Sequence, residues 1–339
     1  MSLRLVEIYH QRGIAEEIDF LFKDAPILDI WHDLLPEGET ITKVLLTAKN
    51  TDFVLDILHN FYSKDKNLRV VILPVEATIP RPEKHAEEQK TEKDKIKSPD
   101  RISIEELYQK MTRVSGISKG YIVMVVLSSF VAGIGLLKND VAVIIGSMVI
   151  SPLLGPNKAL ALGTALADFN LARKALITNL TGSFIVLVIG ILMGLTMGVD
   201  PLIPQIASRS DVSHYFIFLA LATGIAGAYS LTTGVTEALV GVMVAVALLP
   251  PLVVSGLLFG AQQWINATGA LLLFLVNVVC INLSGVVTFV LQGIKPKKWR
   301  ETRQANKAVR IAVTVWIILL LFLAVMIFFE QKLKVIFSQ

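Results

Sequence analysis

Prolines interrupt two long apolar segments of this 339-residue chain, residues 140–168 and residues 234–261. The interrupting residues are Pro152, Gly155 and Pro156 in the first segment and Pro250 and Pro251 in the second. A proline inside a helix removes a backbone donor and clashes with the preceding turn. At bilayer depth the freed carbonyl groups need partners in protein or in a wet cavity, so paired breaks point to a solute site near the midplane. The alternative is a simple structural kink in each helix.

Lys158 lies just past the first break, about one helical turn from the middle of its segment. An ionisable side chain at that depth is costly and usually faces the interior of a helix bundle. We expect Lys158 and the positive end of a half-helix to attract an anion. Alternatively, the ammonium group of Lys158 takes the place of a bound cation. The alternative is a lysine that snorkels to the cytoplasmic headgroups. The second segment has Val253 or Val254 at this point, so the predicted site is asymmetric.

Other polar residues inside the apolar segments complete the predicted substrate site. The full set is Ser147, Ser151, Gly155, Pro156, Asn157, Lys158, Asn179, Pro250, Pro251 and Asn282. The alternative for each polar member is that it only joins helices by hydrogen bonds. Glu237 begins the second broken segment, where it could couple transport to protons or lie at the interface beside a helix amino terminus.

Several classes of chemistry lack their motifs in this sequence. There is no Walker loop, HExxH, CxxC or GxSxG pattern, and the five histidines never form a cluster with the spacing of metal ligands. The single cysteine, Cys280, cannot form an intrachain disulfide. The net charge of +4 comes from basic residues beside predicted membrane ends, not from a nucleic-acid face. We therefore expect no enzyme, no cofactor, no metal site and no nucleic-acid partner.

The elements that must position these residues are membrane spans. Charged residues make up 18% of the chain and are nearly absent from 119–293. Seven segments are long and apolar enough to cross a bilayer core of about 30 Å. They are 119–137, 140–168, 172–198, 213–231, 234–261, 267–293 and 308–330. The basic loops after the second and sixth segments predict a cell (inner) membrane protein with a cytoplasmic amino terminus and an outer carboxyl terminus.

The membrane part reads as two copies, residues 119–198 and 213–294, followed by an extra helix at 308–331. The matches are Tyr121 with Tyr215, Gly146-Ser147-Met148-Val149 with Gly241-Val242-Met243-Val244, Leu153-Leu154-Gly155-Pro156 with Leu248-Leu249-Pro250-Pro251, and Asn179-Leu180-Thr181-Gly182 with Asn282-Leu283-Ser284-Gly285. A gap of about eight residues precedes the last match. Three spans per copy reverse direction and predict an inverted repeat, as in secondary transporters. The alternative is the shared composition of membrane helices.

The amino-terminal residues 1–79 predict a soluble α+β domain. Strand and helix patterns follow in the order βαββαβ, which is that of a ferredoxin-like sandwich. Residues 80–118 read as a charged linker that leads into an amphipathic helix at Ser103–Ile117. That helix either lies at the membrane interface or extends the first span.

Three stretches around the predicted breaks carry a resemblance to a known family. They are Ile144-Ile145-Gly146-Ser147-Met148-Val149-Ile150-Ser151-Pro152-Leu153-Leu154-Gly155-Pro156, Ala165-Leu166-Ala167-Asp168 and Ala247-Leu248-Leu249-Pro250-Pro251. The first of them resembles the hallmark of a prokaryotic membrane family known as domain of unknown function 389, and the other two are also similar to that family. The resemblance covers roughly residues 110–295. It implies a bacterial or archaeal cell membrane protein and brings no substrate or site residues.

These patterns together predict an α-helical polytopic membrane protein that works as a secondary transporter or permease for a small anionic solute or ion. The alternatives are an ion channel, or a membrane-anchored sensor or scaffold whose soluble domain binds a ligand. We expect membrane lipid and the solute as partners, and a homo-oligomer. Small residues such as Gly224-Ile225-Ala226-Gly227 would permit close contact between helices of different subunits.

Overall fold

The computed structural model describes residues 3–11, 13–23, 25–35, 39–62, 68–75, 78, 102–211, 213, 215–233, 247–294 and 302–337. The chain divides into two compact units, residues 1–107 and residues 108–339. Most of the predicted charged linker, up to residue 101, lies outside the described residues.

The first unit is a four-stranded antiparallel sheet with two helices. Its elements are β1 (Leu3–Gln11), α1 (Ala15–Phe22), β2 (Asp29–Leu34), β3 (Glu39–Thr47), α2 (Thr51–Tyr62) and β4 (Arg69–Val75). The strands lie in the order β2-β3-β1-β4, and every neighbouring pair is antiparallel. The predicted order βαββαβ is confirmed, and with this strand order it is a ferredoxin-like unit.

Alternate residues of the central strands form the core of this unit. Val6 and Ile8 of β1 are fully buried, while the residues between and beside them are only partly buried. Because successive side chains of a strand point to opposite faces, these residues define one buried face of the sheet. Both helices pack on it through Ile18, Phe22, Val54 and Leu58.

A buried hydroxyl joins two histidines within this unit. His10 Nε2 and His32 Nδ1 each lie 2.8 Å from Oγ1 of Thr42. The other nitrogen of the His10 ring lies 2.9 Å from the carbonyl oxygen of Gln11, and that of His32 lies 3.1 Å from Asp19. Thr42 is completely buried and His10 is 3% exposed, so water cannot replace the hydrogen bond between them, whereas His32 and Asp19 are exposed.

Replacing Thr42 with valine is expected to destabilise the first unit by about 1–3 kcal/mol, because a buried ring nitrogen of His10 loses its partner. Hydrogen exchange of the intact protein should show faster exchange across β1 and β3. Thr40→Val is the control, since Thr40 lies on the same strand, is 4% exposed and has no side-chain hydrogen bond in the described structure. Equal exchange in the two variants would contradict the role of Thr42.

The second unit is a bundle of apolar helices. Helix α3 (Ile104–Val114) ends four residues before α4 begins at Lys119, so it is not an extension of the first span. The remaining helices are α4 (Lys119–Leu137), α5 (Val141–Ile150), α6 (Leu154–Ala165), α7 (Phe169–Thr196), α8 (Pro204–Ser210), α9 (Tyr215–Thr233), α10 (Leu249–Gly260), α11 (Trp264–Leu291) and α12 (Thr302–Phe337).

The surface of this bundle is that of a membrane protein. Five described helices are long and apolar enough to cross a membrane, and α5 with α6 makes a sixth if the bent pair counts as one span. Large apolar side chains cover the outside, as on α12, where Ile311, Leu321 and Phe322 are 64%, 62% and 59% exposed. Soluble proteins rarely expose so continuous an apolar surface to water. The number of seven spans stays a prediction.

Corresponding helices of the two predicted copies have equal lengths. Helices α4 and α9 have 19 residues each, α6 and α10 have 12 each, and α7 and α11 have 28 each. Helices α6 and α10 begin 95 positions apart, and so do α7 and α11. The turns that join them contain Ala167 and Gln262, also 95 apart, with positive φ angles of 54° and 61°.

Small residues bring helices of the two copies into close contact. A Cβ atom built on Gly190 of α7 would lie 2.9 Å from the Cα of Gly256 in α10. The same crossing occurs at positions 95 away, where a Cβ on Gly285 of α11 would lie 3.0 Å from the Cβ of Ala161 in α6. Each long helix therefore packs on the shorter half-helix of the other copy.

Gly194→Ala is expected to destabilise the bundle by about 1–3 kcal/mol, because the added methyl group would meet the carbonyl oxygen of Leu257. Thermal inactivation in detergent, followed by gel filtration, measures the loss. Gly146→Ala is the control, since a Cβ there meets nothing within 4 Å and alanine favours a helix by about 1 kcal/mol. A Gly194→Ala protein as stable as the control would contradict the close packing of α7 on α10.

Candidate functional site

The predicted break in the first segment is confirmed. Helix α5 ends at Ile150 and α6 begins at Leu154, and their axes are bent by 51°. The hydroxyl of Ser147 donates to the carbonyl of Ile144 at 2.6 Å, within its own helix. The hydroxyl of Ser151, at the break itself, is buried and has no hydrogen-bond partner in the described structure.

The second predicted break is described only from Ala247 onward, since residues 234–246 lie outside the described residues. Helix α10 begins at Leu249, with Pro250 and Pro251 in its first turn. An anion site here would need free backbone N–H groups at the start of this half-helix. Because proline carries no N–H, fewer such groups are available. The carbonyl of Ala247 accepts a hydrogen bond from Nδ2 of Asn277 at 2.7 Å. Glu237 lies outside the described residues.

Three buried asparagines form a chain of hydrogen bonds at the first break. Nδ2 of Asn157 in α6 donates to Oδ1 of Asn179 in α7 at 3.0 Å. Oδ1 of Asn157 accepts from Nδ2 of Asn282 in α11, also at 3.0 Å. The chain therefore joins one half-helix to α7 and α11, the two helices of 28 residues.

Backbone carbonyls fix the direction of this chain. Nδ2 of Asn157 also donates to Leu153 O at 3.0 Å, and Nδ2 of Asn282 donates to Val278 O at 2.8 Å. A carbonyl oxygen can only accept, so both carboxamides must present their nitrogen there. Asn179 must then offer its oxygen to Asn157, which leaves Asn179 Nδ2 as a buried donor and Asn282 Oδ1 as a buried acceptor, both without partners in the described structure.

A cavity of about 250 Å³ lies beside this chain, between the two copies. Six pairs of its lining residues are 95 positions apart. The pairs are Leu153 with Leu248, Asn157 with Leu252, Leu176 with Leu271, Asn179 with Phe274, Leu180 with Leu275, and Ser183 with Val278. The cavity is mostly apolar, with Asn157, Asn179 and Ser183 on one side only.

Lys158 lines a second, much smaller cavity of about 10 Å³, which is room for about one water molecule. Asn157 lines both cavities, so its carboxamide lies between them. The other walls of the small cavity are small residues of α9, Gly224, Gly227 and Ala228, together with α11. The Lys158 side chain is half-buried there.

The structure brings only part of the predicted site together. Asn157, Asn179 and Asn282 meet by hydrogen bonds, and Lys158 lines the adjoining cavity. Pro251 lines a different cavity, and Ser147 bonds only to its own helix. Gly155 packs on Val114, where an added Cβ would lie 3.1 Å from the valine Cβ, and Pro156 and Pro250 are buried among other side chains.

Sequence reasoning missed several residues of the cavity. Ser183 and Trp316 line it, although neither belongs to a recognisable motif. Ser183 could have been predicted from the spacing of 95 positions between the two predicted copies. Its counterpart at that spacing, Val278, lies one turn before Asn282 in α11. Trp316 lies outside the repeat, so no such signal exists for it.

Within the run Gly224-Ile225-Ala226-Gly227, both glycines are buried, whereas Ile225 and Ala226 are exposed. A Cβ on Gly224 would meet the hydroxyl of Ser284 and lie 2.8 Å from the Cα of Ile281, both in α11. Gly224 therefore serves the contact between α9 and α11. The homo-oligomer stays a prediction.

A double-mutant cycle tests the asparagine chain. Replacing Asn157 and Asn282 with leucine, singly and together, should give a coupling free energy of about 0.6 kcal/mol, a typical value for such pairs in membranes. Reversible unfolding in mixed micelles measures it. The pair Asn157 and Asn277 is the control and should show none, because Asn277 bonds to the carbonyl of Ala247. Equal coupling in both pairs would contradict the chain.

Comparisons with known proteins found one family model and one relative that match this chain. A family model described as a domain of unknown function, DUF389, matches residues 148–283, which include the first break, the second half-helix and all three asparagines. An uncharacterised protein of Methanocaldococcus jannaschii is 36% identical over 331 residues, which cover 97% of this chain and 100% of that protein. No solved structure matches the chain significantly.

Proposed function

Because the chain belongs to the family described as domain of unknown function DUF389, whose name gives no activity, we propose its function from its own residues. It is a secondary transporter or permease that binds a small anionic solute or ion between the two interrupted copies. The observation that carries the proposal is the cavity of about 250 Å³, whose lining residues come in pairs 95 positions apart.

The paired lining supports a repeat whose pseudo-twofold axis passes through the cavity. Equivalent positions of two copies face each other only near the axis that relates them. If each copy crosses the membrane three times, this axis lies in the membrane plane and the repeat is inverted. Secondary transporters of this plan bind their substrates at the interface of the repeats, which is where the cavity lies.

The register of the helices corrects one of the sequence matches. Asn179 and Asn282 were matched with a gap of about eight residues, but α7 and α11 have equal lengths of 28 residues and leave no room for a gap. At a spacing of 95 the counterpart of Asn179 is Phe274, and that of Asn282 is Leu187. The polar chain is thus not repeated, and polarity is confined to one side of the site.

The buried donor of Asn179 supports an anionic solute. A buried N–H without a partner costs free energy that a ligand oxygen can recover. Asn179 lines the large cavity and its Nδ2 is a buried donor without a partner in the described structure, while Lys158 lines the adjoining cavity. The apolar remainder of the lining suits a solute whose body is apolar and whose charged or polar end reaches Asn179.

The test is transport by purified protein in liposomes, over a panel of inorganic and organic anions. We expect uptake of at least one anion, and Asn179→Ala should lower its kcat/KM about tenfold or more, since a hydrogen bond to a charged ligand is lost. Asn170→Ala is the control, because Asn170 lies exposed at the start of the same helix. Lys158→Gln should also lower uptake.

Two results would reject the proposal: no movement of any ion or small solute across the panel, or equal transport by the Asn179→Ala and Asn170→Ala proteins. Unitary currents in planar bilayers would favour a channel over a carrier. Proton coupling through Glu237 and the cell membrane with a cytoplasmic amino terminus remain predictions, as does the absence of enzymatic activity.

A further inference from the structure

A third cavity, with a volume of about 390 Å³, is lined by an arginine. It lies between α8, α9, the start of α10 and the middle of α11, and it shares no lining residue with the cavity at the asparagine chain. Its polar lining consists of Gln205, Ser208, Arg209, Thr223 and Asn277. Arg209 is the only charged side chain among the described residues that line it.

The hydrogen bonds of Arg209 leave most of its guanidinium available. Nη1 donates to the carbonyl and the side-chain oxygen of Gln205, at 2.7 and 2.8 Å, and more weakly to Ser208. The structure gives Nε and Nη2 no hydrogen bond, and no carboxylate of the described residues lies within 4.0 Å. Burial lowers the pKa of the guanidinium, as expected for a cation without a counter-ion.

The equivalent place in the first copy is filled. There Tyr121 is 7% exposed, and its hydroxyl donates to the carbonyl of Thr178 at 3.0 Å and sits against Gly182. At the spacing of 95 positions the counterpart of Tyr121 is Phe216, which lines this cavity and carries no hydroxyl. Gly182 and Asn277 are also 95 positions apart, so the cavity lies where the second copy lacks the tyrosine hydroxyl that sits against Gly182 in the first.

We propose that this cavity binds a small oxyanion, such as a sulfate, phosphate or carboxylate group, on the guanidinium of Arg209. The planar fork of Arg matches two oxygens of such a group, and one edge of it is already held in place by Gln205. Asn277 and Thr223 line the same cavity, and its volume of about 390 Å³ accommodates a small oxyanion. The proposal goes beyond transport, because binding here is measurable whether or not the protein transports anything.

The experiment is equilibrium binding of radiolabelled sulfate to the full-length protein in nanodiscs of neutral lipid at constant ionic strength. We expect saturable binding, and Arg209→Gln should raise the half-saturating concentration about tenfold or more. Arg310→Gln is the control, since it removes the same charge from an exposed position on α12. Phosphate and acetate should compete with the label.

A second variant keeps the test valid if Arg209→Gln fails to fold. Ser208 is exposed and its hydroxyl lies 3.4 Å from Arg209 Nη1, so Ser208→Asp supplies the guanidinium with a carboxylate and leaves the core untouched. It should weaken sulfate binding as much as Arg209→Gln does. The proposal is overturned if the wild type binds no sulfate in neutral nanodiscs, or if the folded variants bind it as the wild type does.

Nanodiscs that contain anionic phosphatidylglycerol distinguish the source of the oxyanion. If the headgroup of a lipid occupies the site, sulfate binding should fall in these nanodiscs compared with neutral ones. If the ligand is a free ion, binding should be the same in both. Either result is consistent with an oxyanion site at Arg209, and neither depends on the outcome of the transport assay.

Discussion

The carboxamide of Asn157 is the interaction on which the arrangement of the bundle depends. A helix that breaks within a membrane leaves backbone groups that lipid cannot satisfy. Asn157 bonds to the carbonyl of Leu153 at the break and, through its two polar atoms, to Asn179 of α7 and Asn282 of α11. One side chain thus stabilises the interruption and holds the two copies together beside the cavity.

The two predicted copies have described helices of similar length but different side chains at corresponding positions. Corresponding helices have equal lengths, and their crossings use positions 95 apart. The polar groups do not follow this symmetry, since the asparagine chain belongs to the first break and Arg209 lies beside the second. The hydroxyl of Tyr121 donates to the carbonyl of Thr178 in the first copy, whereas its counterpart Phe216 has no hydroxyl and lines the cavity at Arg209. A membrane protein needs such asymmetry if it is to act differently on the two sides of the membrane.

The sequence predicted the parts of this structure that depend on local patterns. The order βαββαβ, the break after Ile150 and the presence of polar residues around it follow from periodicity and proline. The meeting of Asn157 with Asn282, 125 residues away, depends on how α6 and α11 cross, which no local pattern encodes. The match of Asn179 with Asn282 misled because four-residue similarities are common among membrane helices. Gly224 was assigned to contact between subunits, since a small residue permits close packing without specifying the partner.

The central claim is that the cavity between the copies is a water-accessible solute site. The most direct test is a single cysteine at Ser183 in a Cys280→Ala protein, treated in liposomes with a charged thiol reagent that cannot cross membranes. The account predicts that the cysteine at position 183 reacts, and that a control cysteine at Leu192, which is 57% exposed on the outside of α7, does not. Reaction of the cysteine at position 183 only with a lipid-soluble maleimide would contradict the claim, because the cavity would then open to lipid alone.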